Sequence, residues 1–481
     1  MKCIISKRVK IPKEFISKDF IESELIVSGN ENDIFCNREP MIMYKELRDS
    51  YIVPAIFGLK FIKENSLEYT DLRSNGDPID VSFNSSLREN QVSVVKQSID
   101  ILKEDYGTIL FAGCGMGKTV MSNKISCEFK LKTLILVNTS VLLYQWIERI
   151  SEFIDGAEIG IIKQNKFDIE GKTHVVASAQ TIVSRVETFD KNAFDSFGLL
   201  IVDECHNFSA QILSKVIGIS GCKYRLGLSA TPFRKDKFDK VGFHSIGEIG
   251  ASIQRTSESQ ELNIECIQLD FKVEHHDIYR AGGKKLPNLA KMVNELCEND
   301  ERNNFIIKAI LQKVSEKRHI IVTSSRRNHL KVLADKLEEN GFNDFGFLIG
   351  GIKKNPDIEK KQVLLCTFQF VAEGLDIPSL CTLIMISPKV DITQACGRIL
   401  RTNPNKKTPV ILDLVDCESH VFINQGMKRK AYYKKLGGNI KIVDKEFNII
   451  KQAKRKSKVI EEKEEVEARK KICDFFKSKV D

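Results

Sequence analysis

Ala112-Gly-Cys-Gly-Met-Gly-Lys-Thr119 follows a short apolar run, residues 108–112, and precedes a segment with a helical pattern. Its glycines are Gly113, Gly115 and Gly117. They would let backbone N–H groups curl closely around an anion, while Lys118 would place a cation on the terminal phosphates and Thr119 a hydroxyl on Mg²⁺. A chance glycine-rich turn is the alternative, and Ala112 stands where the general pattern has its first glycine. We therefore predict a loop that binds ATP and Mg²⁺.

Apolar runs recur along the chain and mostly alternate with helical patterns. The first series is residues 108–112, 133–137, 174–177, 199–202 and 225–228, and the second is 319–323, 345–349, 363–367, 383–387 and 409–414. Buried strands that alternate with helices are typical of parallel sheets covered on both faces. The pattern therefore predicts an α/β fold with two lobes in tandem.

Four segments are expected on this basis. They are an N-terminal accessory domain at 1–82, a first lobe at 83–255, a second lobe at 256–450 and a charged tail at 451–481. Within the first segment, residues 51–60 are expected to form a strand and a turn. The tail consists mainly of charged residues and helix formers, which favours a solvated helix over a nucleic-acid-binding arm.

Asp203-Glu-Cys-His206 stands at the end of the apolar run 199–202. Carboxylates at the carboxyl end of a parallel strand lie beside such a phosphate-binding loop. We expect Asp203 to hold Mg²⁺ through water, and Glu204 to orient and deprotonate the attacking water. A lone tetrapeptide of this kind is a weak signal, but Lys118 lies about 85 residues upstream and strengthens it.

Two later motifs carry hydroxyls and guanidinium groups. Ser229-Ala-Thr-Pro232 follows the run 225–228, and its hydroxyls could transmit the nucleotide state, although an ordinary turn is the simpler interpretation. The predicted coupling residues are His206, Ser229 and Thr231. In Gln394-Ala-Cys-Gly-Arg-Ile-Leu-Arg401, Arg398 and Arg401 are three apart and are expected on one helix face. They could act as arginine fingers on a γ-phosphate, whereas a solvated basic face is the alternative.

The order of these motifs resembles that of superfamily 2 helicases of the DExH kind, over about residues 85–415. Within that superfamily the chain is similar to the XPB-like, poxvirus transcript-release and T5-like phage helicases. The resemblance rests further on Leu87-Arg-Glu-Asn-Gln91, Ala177-Ser-Ala-Gln-Thr-Ile182 and Cys366-Thr-Phe-Gln-Phe-Val-Ala-Glu-Gly-Leu-Asp376. Arg234-Lys-Asp236 stands where XPB-like proteins carry Arg-Glu-Asp, and its middle residue differs.

The resemblance implies two RecA-like domains, ATP hydrolysis and a nucleic-acid track. It also implies further site residues. For the nucleotide these are Arg88, Gln91, Gly374 and Asp376; for catalysis, Gln394; and for nucleic acid, Gln180, Thr181, Arg234 and Thr367. Gln91 is the residue that would read the adenine.

Composition fits this interpretation without proving it. Hydrophobic residues make up 42% and charged residues 29%, and the formal net charge of +9 suits a polyanionic partner. The 13 cysteines include no CxxC pair, which favours reduced thiols over a zinc site or disulfides. The chain has no apolar run long enough to span a bilayer and no leader pattern. We therefore expect a cytoplasmic protein, or one inside a host cell, without a membrane partner.

The sequence predicts an ATP-dependent helicase or translocase that acts as a monomer on DNA, with DNA favoured over RNA. One Trp and 8% aromatic residues do not indicate extensive base stacking. The alternatives are an RNA helicase or transcript-release factor, a double-strand translocase that does not unwind, and a binding module with an inactive ATP site. The last of these is disfavoured by a set of intact residues, namely Lys118, Asp203, Glu204, Arg398 and Arg401.

Overall fold

Eight-stranded sheets dominate both halves of the chain in the computed structural model. The structure describes residues 2–28, 40–113, 115–190, 192–208, 210–230, 238–253, 261–279, 285–349, 355–375, 377–401, 403 and 405–452. The chain divides into two units, Met1–Arg255 and Thr256–Asp481. Each unit contains one of these sheets with helices packed on it, so the predicted α/β class is confirmed.

The N-terminal part of the first unit forms a small mixed sheet. Its elements are β1 (Cys3–Ile5), β2 (Val9–Pro12), α1 (Lys18–Leu25), β3 (Ile26–Val27), β4 (Met41–Ile42), β5 (Lys45–Glu46), β6 (Ser50–Val53), α2 (Ala55–Glu64) and β7 (Tyr69–Asp71). The strand order is β5-β6-β2-β1-β7. Ile5 and Phe57 belong to the same buried apolar cluster as Ile109 and Val202, so this sheet shares a core with the larger sheet that follows.

The segment 51–60 departs from the prediction in its second half. The expected strand is present as β6, but the expected turn is wrong, because Ala55–Glu64 forms helix α2 with Pro54 at its N-cap. Proline is tolerated where a helix starts, since the N–H it lacks would have no partner there. Apolar residues recur at helical spacing and are buried: Ile56, Leu59 and Ile62.

The larger sheet of the first unit is almost entirely parallel. Its strands run in the order β13-β12-β14-β10-β15-β16-β9-β17, with only the β12–β13 pair antiparallel. The elements are β8 (Ser82–Phe83), α3 (Glu89–Asp105), β9 (Gly107–Ala112), α4 (Lys118–Phe129), β10 (Thr133–Val137), α5 (Ser140–Phe153), β11 (Ile154–Asp155), β12 (Ile159–Lys163), β13 (Lys166–Phe167), β14 (His174–Ser178), α6 (Ala179–Arg185), β15 (Leu199–Val202), α7 (Ala210–Ile219), β16 (Tyr224–Ser229), α8 (Asp239–Ser245) and β17 (Ile249–Ile253). Every residue of β10 and β15 is buried, as expected for central strands.

The second unit repeats this design. Its sheet has the order β22-β23-β21-β24-β25-β18-β26-β27, with only the β26–β27 pair antiparallel. The elements are β18 (Asn263–Leu269), β19 (Asp277–Tyr279), β20 (Lys285–Pro287), α9 (Leu289–Glu298), α10 (Asp300–Ser315), β21 (Ile320–Ser324), α11 (Arg327–Glu339), β22 (Phe345–Leu348), α12 (Pro356–Glu359), β23 (Val363–Thr367), α13 (Phe368–Gly374), β24 (Thr382–Met385), α14 (Thr393–Ile399), β25 (Val410–Asp416), α15 (His420–Lys435), β26 (Asn439–Val443) and β27 (Ile449–Gln452).

The predicted apolar runs coincide with strands to within about two residues at their ends. Strand β18 was not predicted, because polar residues interrupt its apolar run. It nevertheless lies inside the sheet, between β25 and β26. The helix expected in the tail lies outside the described residues, which end at Gln452. Among the helices that the structure describes, none has the length and apolar character to cross a bilayer.

Candidate active site

The glycine-rich loop joins β9 to the N-terminus of α4. Gly115 has φ 80° and Gly117 has φ 82°, in the left-handed region where a side chain would strain the backbone. Gly117 is the N-cap, so Lys118 and Thr119 occupy the first helical positions. The first N–H groups of a helix point outward and carry partial positive charge, which favours a bound anion.

Lys118 contacts Glu204, the second of the two acidic residues that follow β15. Its Nζ lies 2.6 Å from Glu204 Oε1, and the two side chains are 12% and 15% exposed. Glu204 follows β15 with φ 47°, a left-handed conformation that is costly for a residue other than glycine. The structure therefore brings together the cation and the proton acceptor that the sequence placed 86 residues apart.

Asp203 is buried beside this pair. Trp146 Nε1 donates a hydrogen bond of 2.8 Å to its Oδ2, and the backbone N–H of Glu204 donates one of 2.9 Å to its Oδ1. Burial raises the pKa of Asp203 to about 6; the negative charge of Glu204 adds to this effect, and Lys118 opposes it. A buried carboxylate of this kind gains from a nearby cation, because the cation stabilises its ionised form.

The donor set fits Mg²⁺. Mg²⁺ prefers oxygen ligands, usually one or two from the protein together with water and phosphate oxygens. Thr119 supplies a hydroxyl at the helix start, and Asp203 supplies a carboxylate in need of a counter-charge. These two residues, which the sequence predicted as the metal ligands, are the ones that would hold the ion.

A second chain of contacts leads away from Glu204. His206 Nδ1 lies 3.4 Å from Glu204 Oε2 and 2.8 Å from Ser229 Oγ. Two of the three predicted coupling residues therefore contact each other, and one of them contacts the predicted base. The third, Thr231, lies outside the described residues, as does Arg234.

Gln91 ties helix α3 to the phosphate-binding loop. Its Oε1 accepts a 3.0 Å hydrogen bond from the backbone N–H of Arg88, and its Nε2 donates a 2.8 Å hydrogen bond to the carbonyl of Met116. A Cβ on Gly117 would come within 2.5 Å of the same Nε2. Gln91 thus supports the loop directly, and its reading of adenine stays a prediction.

Gln180 and Thr181 lie at the start of α6, next to the carboxyl end of β14. The amide nitrogen of Gln180 donates to both oxygens of Asn138, at 2.6 and 2.7 Å. Thr181 is buried, and its hydroxyl accepts a 3.0 Å hydrogen bond from the N–H of Gln164. In the first unit, therefore, both side chains hold neighbouring loops in place.

The remaining predicted residues belong to the second unit. Thr367 is the N-cap of α13, where its hydroxyl accepts a hydrogen bond from the N–H of Phe370, and Gly374 ends that helix. Gln394 and Arg398 lie on α14, and Arg398 Nε donates 2.9 Å to the carbonyl of Val371 on α13. Asp376 lies outside the described residues.

The expectation that Arg398 and Arg401 share a helix face is wrong. Helix α14 ends at Ile399, and Leu400 follows as its C-cap with φ −95° and ψ 2°. The carbonyl of Arg401 instead accepts a 2.9 Å hydrogen bond from Lys406 Nζ. Arg401 therefore lies beyond the end of the helix. Its side chain does not share a helix face with Arg398, although the two residues are three positions apart.

Trp146 is the site residue that sequence reasoning missed. It lies on α5, is buried, and reaches Asp203 across 57 positions of the chain. Its burial at helical spacing with Leu143 and Ile150 indicates a core residue, and only the fold shows that its N–H meets a carboxylate.

The chain is similar to known proteins over most of its length. A family model described as the type III restriction enzyme, res subunit, matches residues 84–234. A protein of Acanthamoeba polyphaga mimivirus, assigned as an ATP-dependent RNA helicase, is 30% identical over 438 residues, which cover 89% of this chain and 82% of the relative. The transcript termination protein of Myxoma virus is 24% identical, with 82% of this chain and 86% of that protein covered.

Solved structures show the same architecture. A variant of S. cerevisiae Dbp5 bound to RNA and ADP BeF3 has a TM-score of 0.53 at 15% identity, covering 75% of this chain and 94% of that chain. The ATP-dependent type ISP restriction-modification enzyme LlaBIII, bound to DNA, has a TM-score of 0.51 at 16% identity, covering 80% of this chain and 34% of that chain. These similarities concern the fold alone, and they confirm the two RecA-like domains.

Proposed function

Because the chain belongs to the superfamily 2 helicases, which are ATP-dependent enzymes, we propose that it is a motor that moves along DNA and separates or remodels its strands. The observation that carries the proposal is the convergence of Lys118, Asp203 and Glu204 beside the N-terminus of α4. That cluster supplies a cation, a metal ligand and a proton acceptor within one lobe.

The chemistry proposed for this cluster follows from its contacts. An ammonium group has three donors, so Lys118 can hold Glu204 and a terminal phosphate together. A water molecule attacking that phosphate would then lie next to the carboxylate that accepts its proton. Mg²⁺ held by Thr119 and Asp203 would neutralise charge on the phosphate oxygens.

The second lobe is proposed to complete the reaction. Arg398 and Arg401 would stabilise the charge that develops on the γ-phosphate in the transition state, because a guanidinium can contact two oxygens at once. Hydrolysis would then weaken the hold of these arginines and favour a different arrangement of the lobes. Contacts to the phosphodiester backbone would convert this cycle into movement without reading sequence.

DNA is proposed as the track because of the family model that matches the first lobe. The matching family model is described as a restriction enzyme subunit, and enzymes of that kind act on DNA. The formal net charge of +9 suits either nucleic acid and does not decide between them. The second candidate is an RNA helicase or transcript-release factor, favoured by the names given to the mimivirus and Myxoma virus relatives.

The test is ATP hydrolysis in the presence of single- and double-stranded DNA and RNA of matched length and sequence. We expect DNA to stimulate turnover more than RNA, and forks or other branched DNA to be separated into strands. Stimulation by RNA alone would assign the second candidate, and stimulation without strand separation would assign a translocase. Lys118→Ala serves as the control: it should abolish hydrolysis while nucleic-acid binding persists, since many separate backbone contacts hold the track.

A further inference from the structure

We infer that Tyr144 and Lys163 form a binding site for one nucleotide of a single strand, with the base stacked on the tyrosine ring and a phosphate on the lysine. The inference rests on the proposed function, because it assigns a contact for the nucleic acid that the motor would move along. Nothing in the helicase motifs quoted above includes either residue.

Tyr144 is an exposed aromatic side chain on the first lobe. It lies on α5 and leaves 52% of its surface open to solvent. Among the described residues, the other aromatic side chains of comparable exposure, Phe20 and Tyr69, belong to the small N-terminal sheet region. A ring with a free face is a stacking surface that accepts any base.

Lys163 places a cation against that ring. Its Nζ lies 4.8 Å from the ring centroid and 3.4 Å from the hydroxyl oxygen. Among the described residues no carboxylate forms an ion pair with Lys163, whereas Lys166 on the paired strand lies 3.7 Å from Asp168. An ammonium group without a counter-charge beside an exposed ring suits a nucleotide, which has a negative phosphate next to an aromatic base.

The pair lies at the functional edge of the sheet. Lys163 is the last residue of β12, and Tyr144 is in the second turn of α5, the helix that follows the carboxyl end of β10. Strands β12, β14, β10 and β15 are parallel neighbours, so this is the edge that also carries Asp203. Ligands of open α/β sheets bind outside the carboxyl ends of the strands.

Two hydrogen bonds to the backbone of Gln164, one at its N–H and one at its carbonyl, hold the hairpin turn that follows Lys163. The N–H of Gln164 donates 3.0 Å to the buried hydroxyl of Thr181, and its carbonyl accepts 2.8 Å from Arg185 Nη1. Gln164 itself has φ 52°. Thr181, which the resemblance placed at the nucleic acid, is therefore assigned here as a positioning residue that orients Lys163 through the turn.

The chemistry selects a single strand over a duplex. Bases in a duplex are stacked on their neighbours and offer no face to a protein ring, unless the duplex is opened. A base in a single strand does not have to be taken out of a duplex before it binds. Loss of its stacking on an aromatic side chain should reduce the affinity by about 5- to 150-fold.

The experiment measures binding of the full chain to three fluorescent probes: a short single strand, the same strand with abasic sites, and the matching duplex. Tyr144→Ala should weaken binding to the intact strand by about 5- to 150-fold and leave the abasic strand and the duplex nearly unchanged. Tyr144→Phe should retain binding. Lys163→Gln should weaken the intact and abasic strands alike and reduce the salt dependence, because it removes a phosphate contact.

Two matched controls come from the same molecule. Tyr69→Ala removes an aromatic side chain that is 50% exposed, and Lys166→Gln removes a lysine of the same hairpin that has its own acidic partner. Both should bind every probe as the parent does. Thermal unfolding of each variant checks its fold, and Tyr144→Gln replaces Tyr144→Ala should the latter fail to fold.

The inference is overturned if Tyr144→Ala and Tyr144→Gln leave the intact strand unaffected, or if they weaken all three probes equally. Failure of the proposed function is distinguishable, because the parent protein would then bind no nucleic acid and show no stimulated hydrolysis. Thr181→Val supplies the test of positioning: like Lys163→Gln, it should weaken binding of the intact and abasic strands alike and reduce the salt dependence of binding, a readout that a general loss of stability would not change selectively.

Discussion

The two adjacent acidic residues at the end of β15, Asp203 and Glu204, have different surroundings. Asp203 is buried, and burial raises its pKa to about 6, whereas Glu204 contacts Lys118 in a left-handed conformation. The first environment favours a metal ion as counter-charge, and the second places an oxygen acceptor next to the phosphate-binding cation. Two acidic residues one position apart therefore have different surroundings, which suit the different roles proposed for them.

Glu204→Gln should separate ATP binding from turnover. The amide keeps the shape of the carboxylate but cannot take a proton, so the turnover rate should fall by at least about 100-fold. Binding of ATP should persist or strengthen, because a negative charge 2.6 Å from Lys118 is removed. The measurements are steady-state hydrolysis and equilibrium binding of a fluorescent ATP analogue; hydrolysis at the parent rate would exclude Glu204 as the base.

At the scale of elements, one side chain joins a helix start to a loop. Gln91 stands in the first turn of α3, accepts from the N–H of Arg88 and donates to the carbonyl of Met116, 25 positions later in the chain. A side chain of α3 thus holds the loop between β9 and α4. This contact limits the conformational freedom that the glycines of the loop would otherwise give it. The phosphate-binding geometry depends on three elements and not on the loop alone.

Gln91→Glu should weaken ATP binding. The carboxylate can still accept from Arg88, but it can no longer donate to Met116, and an unmet buried hydrogen bond costs on the order of 1–3 kcal/mol. We expect a loss of affinity of about tenfold or more, measured with a fluorescent ATP analogue.

Gln97→Glu is the matched control for that variant. Gln97 lies on the same helix and its amide donates 2.8 Å to the carbonyl of Gly250 at an exposed position. Its replacement should leave ATP affinity close to that of the parent. Equal affinities for the two variants would contradict a supporting role for Gln91 in the loop.

At the scale of the whole molecule, two units of the same design divide the predicted catalytic residues between them. Lys118, Asp203 and Glu204 lie in the first unit, and Gln394, Arg398 and Arg401 lie in the second. The proposed mechanism requires both, since it places the phosphates on the first unit and the arginines on the second. Variants in the second unit therefore test whether the chain works as one enzyme.

Arg398→Ala and Arg401→Ala should each reduce hydrolysis while ATP remains bound to the first unit. A single arginine finger contributes about 10³–10⁵ in rate in related phosphoryl-transfer enzymes, and each variant should lose less if the two share the task. Lysine at either position should restore little of the lost hydrolysis rate, because its ammonium group cannot contact two oxygens at once as a planar guanidinium does. Thermal unfolding must accompany the rates, since Arg398 also holds the carbonyl of Val371. Parent-like turnover in the double variant would remove the second unit from the active site.

Each unit also contains a buried histidine that we expect to make the stability of the molecule sensitive to acid. Burial lowers the pKa of His174 to about 4 and that of His329 to about 3, the latter with help from Arg302. A depressed pKa means that folding resists protonation, so stability present above about pH 6.5 is lost as the pH falls towards 4. The free energy of unfolding should fall by up to about 1.4 kcal/mol per pH unit for each histidine.

Urea unfolding between about pH 7.5 and 3.5, values chosen to bracket the window of about 6.5 to 4, measures this dependence. His329→Gln and His174→Gln should each flatten the slope, even where they lower stability at neutral pH. His420→Gln is the control, because His420 is exposed. Unchanged slopes in both buried variants would show that other groups cause the acid sensitivity.

Much of the fold and site followed from local sequence. Glycines before Lys118 and Thr119 predict the loop because backbone freedom and a helix start are properties of adjacent residues. Fully apolar runs such as 133–137 predict buried parallel strands for the same reason. The helix α2 was missed, although Ile56, Leu59 and Ile62 carry its period, because residues 51–60 were interpreted as a strand and a turn.

By itself, the sequence determined the family of this protein and its α/β class, and it predicted which residues bind the phosphates and which residue accepts the proton. The tertiary structure alone decided that Trp146 holds Asp203, that Gln91 holds the loop, and that Thr181 holds the turn beside Lys163. The physical reason is distance along the chain. A motif is a set of neighbours whose chemistry is local, whereas a hydrogen bond across 57, 25 or 17 positions exists only once packing has fixed both partners.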